Sequence, residues 1–218
     1  MKKKLVLSLF LILVPILISA QGLYFDAGAG IGQAWTRLSG QNAINVVNSR
    51  GLQASQFGTY IGLKAGYGPV ADMPFFVVCD LSMISHVMDL RYYSAGPNQA
   101  NRGSFGMSLS SIIIGPGIVY YPITLVQLGL SAGFSFVNNT NDLPDGVFRE
   151  LMFSSKGGFA WNASAALDFG RRNHGCLVGL QLFHAINPLQ VSNITQNAFQ
   201  LGVFVKYTYR QKPFLPFF

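Results

Sequence analysis

Along residues 198–210, AFQLGVFVKYTYR, the side chains alternate in character. Phe199, Leu201, Val203, Val205, Tyr207 and Tyr209 fall on one side, and Gln200, Gly202, Phe204, Lys206, Thr208 and Arg210 on the other. A period of two predicts a β-strand with one apolar and one mostly polar face. Seven earlier segments carry the same pattern: Leu23–Thr36, Thr59–Tyr67, Phe75–Leu90, Phe105–Tyr121, Val126–Val137, Phe159–Phe169 and Cys176–Ala185. Two are less clean. Phe76, Val78 and Ile84 lie on the polar side of the third, and the fourth loses its phase near Ser110-Ser111. Gly115-Pro116-Gly117 then interrupts that strand, and glycine with proline inside a strand predicts a bulge.

The connections between these strands sort by length. With those boundaries, the first, third, fifth and seventh are followed by about 22, 14, 21 and 12 residues, and the others by short turns around Gly68-Pro69, Pro122 and Arg171-Arg172-Asn173. Long connections at one end and short ones at the other are expected of a transmembrane barrel with short periplasmic turns and longer external loops. A soluble β-sandwich, the competing all-β architecture, has no reason to sort its loops in this way. Phe25, Trp35, Tyr67, Phe75, Phe159, Phe169, Tyr207 and Tyr209 sit near strand ends on the apolar side, as interfacial girdles require. The other side is rich in glycine and serine, which suits a narrow eight-stranded lumen. The expected fold class is therefore all-β, an eight-stranded antiparallel up-and-down transmembrane β-barrel with both ends on the periplasmic side.

Composition supports a membrane environment. Charged residues make up 11% of the 218 residues and hydrophobic ones 50%. Yet beyond the first twenty residues no run reaches the roughly 18 apolar residues a spanning helix needs, and a closed barrel is the other way to satisfy the backbone in lipid. Those first residues read as a cleaved signal peptide: Lys2, Lys3 and Lys4, then Leu5 to Ile18, then Ser19-Ala20. Residues 21–218 then form the barrel, with 211–218 a short periplasmic tail. Removing three lysines takes the net charge from +7 to +4. The remaining basic residues are scattered, which excludes a nucleic-acid surface. Cys79 and Cys176 fall on opposite walls of such a barrel, beyond the roughly 7 Å that a disulfide can bridge, and are expected as free thiols.

The alternating strands, the YFDAGAGIG opening at Tyr24–Gly32 and the closing aromatic strand together resemble the small outer-membrane barrels of Gram-negative bacteria, the OmpA, OmpX and OmpW-like group. The resemblance spans the chain after residue 20. It implies an outer-membrane location, contact with lipids and lipopolysaccharide-type glycolipids, and handling by the barrel-assembly machinery. It also implies external loops open to a ligand or host molecule, or a small passive channel for small or hydrophobic molecules. The assembly signal would be either Tyr207-Tyr209 or the tail QKPFLPFF at Gln211–Phe218.

Candidate chemistry is sparse. Gly129-Leu130-Ser131-Ala132-Gly133 matches a nucleophile-elbow spacing, but it lies mid-strand rather than at a strand-to-helix turn, so Ser131 reads as a lumen hydroxyl. Gly28, Gly30 and Gly32 imitate a dinucleotide loop without the helix that would follow. His86, His174 and His184 lack metal-ligand spacing. His184 is followed by Ala185 and Ile186, so the serine of a lipid-deacylating barrel is missing. Neither catalysis nor a cofactor is expected. The informative set is the ionisable residues of the inner face, Asp26, Lys64, Asp80, Asp168, Lys206 and Arg210, all in the periplasmic half of their strands. Three acids and three bases in a narrow lumen must pair, either as a structural network or as a gate. Pairing of the last strand with the first puts Lys206 or Arg210 beside Asp26. The Asn- and Ser-rich loop Arg37–Gly58 and the loop Asn138–Gly158, with its run Val147–Phe153, are the expected carriers of specificity.

Overall fold

Each alternating segment forms a strand in the computed structural model, which describes residues 22–39, 54–69, 73–93, 102–141, 157–170, 173–188 and 195–211. The strands are β1 (Leu23–Ser39), β2 (Ala54–Tyr67), β3 (Phe75–Tyr93), β4 (Arg102–Ile123), β5 (Val126–Asn141), β6 (Gly158–Asp168), β7 (His174–Pro188) and β8 (Thr195–Arg210). Consecutive strands pair antiparallel and β8 pairs with β1, closing an up-and-down barrel. Most strands run past the ends that periodicity suggests, because inter-strand hydrogen bonding continues where the apolar alternation stops. β1 and β2 thus take up both ends of the segment Arg37–Gly58, leaving 40–53 between them. The remaining parts of the long connections, with the run Val147–Phe153, residues 1–21 and 212–218 and the His86 side chain, lie outside the described residues.

The register fixes the geometry. Followed strand by strand, Ala27 leads to Leu63, Leu81, Ile114, Phe134, Phe159, Ile186, Asn197 and back to Arg37 on β1. The path returns ten residues above its start. A shear of ten on eight strands tilts them by about 40° from the axis.

Polarity is inverted relative to a water-soluble domain. Phe134 is 73% exposed and Leu180 58%, whereas Lys64 and Phe204 are 1% exposed and Asp80 is fully buried. The exposed apolar side chains Ile31, Ile61, Leu81, Ile118, Leu130, Val203 and Val205 ring the outside. Aromatics bound this belt. Phe199 and Tyr209, ten residues apart on β8, are separated along the axis by about 25 Å at ~3.3 Å per residue and that tilt, which matches the height of a lipid-facing band.

Two expectations are corrected. The bulge at Gly115–Gly117 is not there: β3 and β4 pair without a shift from Phe75↔Tyr120 to Tyr93↔Arg102. The one irregularity in the β4–β5 pairing falls between Tyr120 and Ile123, beside the Thr124-Leu125 turn. Pro116 points outward, and Gly115 and Gly133 let the two backbones approach so closely that a Cβ on either would collide with the other strand. From Ser111 to Tyr121 the alternation never slips. It looked broken because Ile113, Val119 and Tyr121 are apolar residues on the inner face.

The lumen is also not lined by small residues alone. Tyr24, Tyr60, Phe76, Tyr121, Phe183 and Phe204 are all buried inside it. Glycines make room for them: a Cβ at Gly62 would strike the Tyr60 ring, and one at Gly68 the Phe76 ring.

Cys79 on β3 and Cys176 on β7 are free and exposed on the outer surface. Both are expected to react with a membrane-permeant maleimide, and the oxidised protein should show no intramolecular disulfide by non-reducing mass analysis.

Candidate functional site: a charged plug in the lumen

The inward parity of Asp26 on β1, Lys64 on β2, Asp80 on β3, Asp168 on β6 and Lys206 and Arg210 on β8 brings all six charges into the barrel, each 4% exposed or less. They form three ion pairs. Lys206 Nζ lies 3.4 Å from Asp26 Oδ1 across the closing seam. Lys64 Nζ lies 3.7 Å from Asp80 Oδ2 between directly paired residues of β2 and β3. Arg210 Nη1 lies 2.5 Å from Asp168 Oδ2, reaching across β7. Of the two partners expected for Asp26, Lys206 takes the place, and Arg210 turns to Asp168. The register shows how: Asp26 pairs with Thr208, so Lys206 and Arg210 are its two diagonal neighbours. Lys206 leans over Gly28, where a Cβ would collide with the lysine stem.

Each carboxylate is further satisfied by neutral donors, as buried charge requires. The Tyr24 hydroxyl donates to Asp26 Oδ2 at 2.8 Å. Asp80 accepts from the hydroxyls of Ser82 and Ser131 and from Asn162 Nδ2 at 3.3 Å. Asp168 accepts from the Tyr121 hydroxyl at 3.1 Å and the Gly170 amide at 2.8 Å. Gln127 Nε2 donates to the hydroxyls of Tyr24 at 2.9 Å and Tyr121 at 2.7 Å, linking the Asp26 and Asp168 clusters. The cations lie over rings: Lys206 Nζ is 5.2 Å from the centre of Tyr60 and 4.8 Å from that of Phe204, and the Arg210 guanidinium is 5.1 Å from that of Tyr121.

The plug therefore has tiers. Nearest the short turns are Arg210, Asp168 and the rings of Tyr24, Phe76 and Tyr121, with centroids 4.9 Å and 6.0 Å apart along that row. Next come the other two ion pairs. Beyond them Tyr60, Ile84, Ile113 and Phe183 belong to a single buried apolar cluster. Ser131 is the lumen hydroxyl its parity predicts, whereas the neutral members Tyr24, Tyr60, Tyr121, Gln127 and Asn162 carry no site expectation from sequence. Their shared parity with the charges was the signal. Ser131 is a buried donor to Asp80, which excludes the nucleophile-elbow geometry its GxSxG setting imitates. Among the described residues, no three His, Cys, Asp or Glu side chains converge as metal ligands.

An eight-stranded barrel that is apolar outside and polar and charged inside is an outer-membrane protein of the bacterial β-barrel class. No family model matches the sequence, and no curated protein matches it. Similar folds occur among solved structures. Ail, the attachment invasion locus protein of Yersinia pestis, solved in complex with the heparin analogue sucrose octasulfate, is 11% identical over 84% of this chain and 98% of its own, with a TM-score of 0.43. Neisserial surface protein A is 20% identical over 85% and 97%, with a TM-score of 0.42. The outer-membrane protease OmpT of Escherichia coli is 8% identical over 88% and 97%, with a TM-score of 0.45. Assignment to the class rests on this barrel's own polarity.

Proposed function

We propose that the protein is a non-enzymatic outer-membrane barrel that acts at the cell surface, its lumen a structural plug and its external connections the contact region for a ligand or host molecule. The observation that carries this reading is the filled lumen. Paired charges and large rings occupy successive tiers on the turn side of the lumen, leaving each network charge buried and held by a partner rather than open to a solute in transit. In this reading Asp26, Lys64, Asp80, Asp168, Lys206 and Arg210 hold the wall in shape.

A second reading, a small passive conduit with the ion pairs as its gate, draws on a different feature. Nearer the long connections, Ser111, Ser135, Gln181, Asn187 and Gln200 are buried with side-chain polar atoms that have no hydrogen-bond partner among the described residues. Groups of this kind favour hydration of the outer half of the lumen. Planar-bilayer recordings separate the two. The plug reading expects no openings from the wild type or from Lys206→Ala, and steady unitary conductance from the wild type would overturn it. Replacing residues 40–53 or 142–156 with short linkers is expected to abolish adhesion of expressing cells to surface ligands while leaving the compact, heat-modifiable gel form intact.

A further inference from the structure

Gln181 on β7 and Gln200 on β8 point into the lumen, 2% and 0% exposed, and among the described residues neither Nε2 nor Oε1 of either side chain has a hydrogen-bond partner. Gln181 is paired with Gly202, two residues from Gln200, so the two carboxamides are diagonal neighbours with backbones about 7–8 Å apart. They are within reach of one another and do not bond. Burying a carboxamide unpaired is costly, and four such atoms on adjacent strands call for a common partner.

The wall beside them is bare. Gln181, Gly202, Gly32 and Gly58 are one row of directly paired inward positions on β7, β8, β1 and β2. A Cβ at Gly32 would strike the Gly202 backbone, so this stretch admits no side chain. The row nearer the long connections runs from Gln200 to Ala34, and the row nearer the turns from Phe204 through Gly30 to Tyr60. An eight-stranded lumen is just wide enough to be filled by side chains or to hold one small ligand. Here the side chains give way over three strands.

The surroundings define the class of occupant. Each carboxamide offers donors and an acceptor side by side, the complement of vicinal hydroxyls. The Tyr60 hydroxyl is already bonded to Ser82 at 3.1 Å, so Tyr60 and Phe204 contribute their rings, which suit the C–H face of a sugar. Lys206 Nζ approaches those rings from the next row toward the turns, 4.8 Å and 5.2 Å from their centres, and is paired with Asp26. On these four strands no Asp, Glu, Lys or Arg stands in either glutamine row, so a charged occupant would go unpaired.

We propose that Gln181 and Gln200, over the bare wall of Gly202 and Gly32 and the rings of Phe204 and Tyr60, form a seat for one neutral polyol the size of a monosaccharide, entered from the loop end. The ion-paired tiers lie beneath it, so a solute leaves the way it came. This rests on the plug reading and deepens it, giving the loop half of the lumen a ligand class of its own.

The test uses 15N-labelled protein in phosphatidylcholine nanodiscs and reads the side-chain amide resonances of Gln181, Gln200 and, as a control within the plug, Gln127. Glucose is expected to shift Gln181 and Gln200 saturably and to leave Gln127 in place. Glucuronate, the same ring with a carboxylate, should bind at least tenfold more weakly, a comparison that needs no variant. Gln200→Leu should weaken glucose at least tenfold, and Ala34→Leu, which puts bulk beside the bare wall, should abolish the Gln181 shift while the heat-modifiable gel form is kept. No saturable response to glucose would mean that water alone satisfies the amides and would overturn the seat, as would an equal response to glucuronate or an equal shift of Gln127. Passage of glucose out of liposomes carrying the wild type would instead overturn the plug beneath, so the two failures are distinguishable.

Discussion

Lys206→Ala is expected to destabilise the barrel by about 3–5 kcal/mol, the usual cost of leaving one member of a buried ion pair uncompensated. Lys206 and Asp26 are 2% and 1% exposed, so neither has water to fall back on. The one remaining donor to Asp26 from a described side chain is the Tyr24 hydroxyl. Lys64 is directly opposite Asp26 in the register but is engaged with Asp80, so relief by Lys64 would strip Asp80 instead. The double variant Lys206→Met with Asp26→Leu removes both charges and is expected to recover most of the loss, since isosteric apolar replacement of a buried pair is often neutral. Urea titration of folding into phospholipid vesicles measures both. Should the single variant prove no less stable than the double, the pair does not hold the seam.

Val203→Arg is expected to cost about 2–4 kcal/mol in the same assay, and Tyr209→Arg only about 0–1 kcal/mol. Val203 is 52% exposed midway between the aromatic girdles, flanked across the strands by Ile31 and Leu180. A charge there must leave water for hydrocarbon, whereas at Tyr209, on the turn-side girdle, it reaches headgroups. A water-soluble barrel would tolerate arginine at the exposed Val203 position with little change. Equal, small effects at both sites would therefore contradict the lipid-facing assignment.

Much of this was legible because strand parity is a local property. Alternation in β1, β5 and β8 places Asp26, Ser131 and Lys206 inside and Phe25, Leu130 and Val205 outside without any knowledge of neighbours. What parity cannot supply is height. Which inward residues share a level depends on the shear, and that emerges only when eight registers are combined. Lys206 and Arg210 flank Thr208 symmetrically, so the choice of Asp26's partner was open in the sequence. The Arg210–Asp168 pair, joined across an intervening strand, had no local signal at all. The aromatic filling was missed for a related reason. An inward tyrosine such as Tyr60 reads as crowding until the glycine beneath it, Gly62, is seen as its socket. The β4 expectation failed because Gly115-Pro116-Gly117 has two explanations. Glycine and proline within a strand signal a bulge when the backbone must kink. Here they answer instead to close strand approach inside and a ladder position on the outside that does without an N–H.

The Lys206–Asp26 pair joins residues 180 positions apart, and the seam it closes is continued by the Gln211 amide donating to the Leu23 carbonyl at 2.8 Å. The lysine that an earlier strand sets opposite Asp26, Lys64 of β2, is engaged with Asp80. A chain released before its last strand is made would keep a buried-side carboxylate with no lysine at the seam and an open β1 edge. The pair therefore reports completeness: it can form only when the first and last strands of one molecule meet, so it distinguishes a finished barrel from a truncated sheet at the moment of closure.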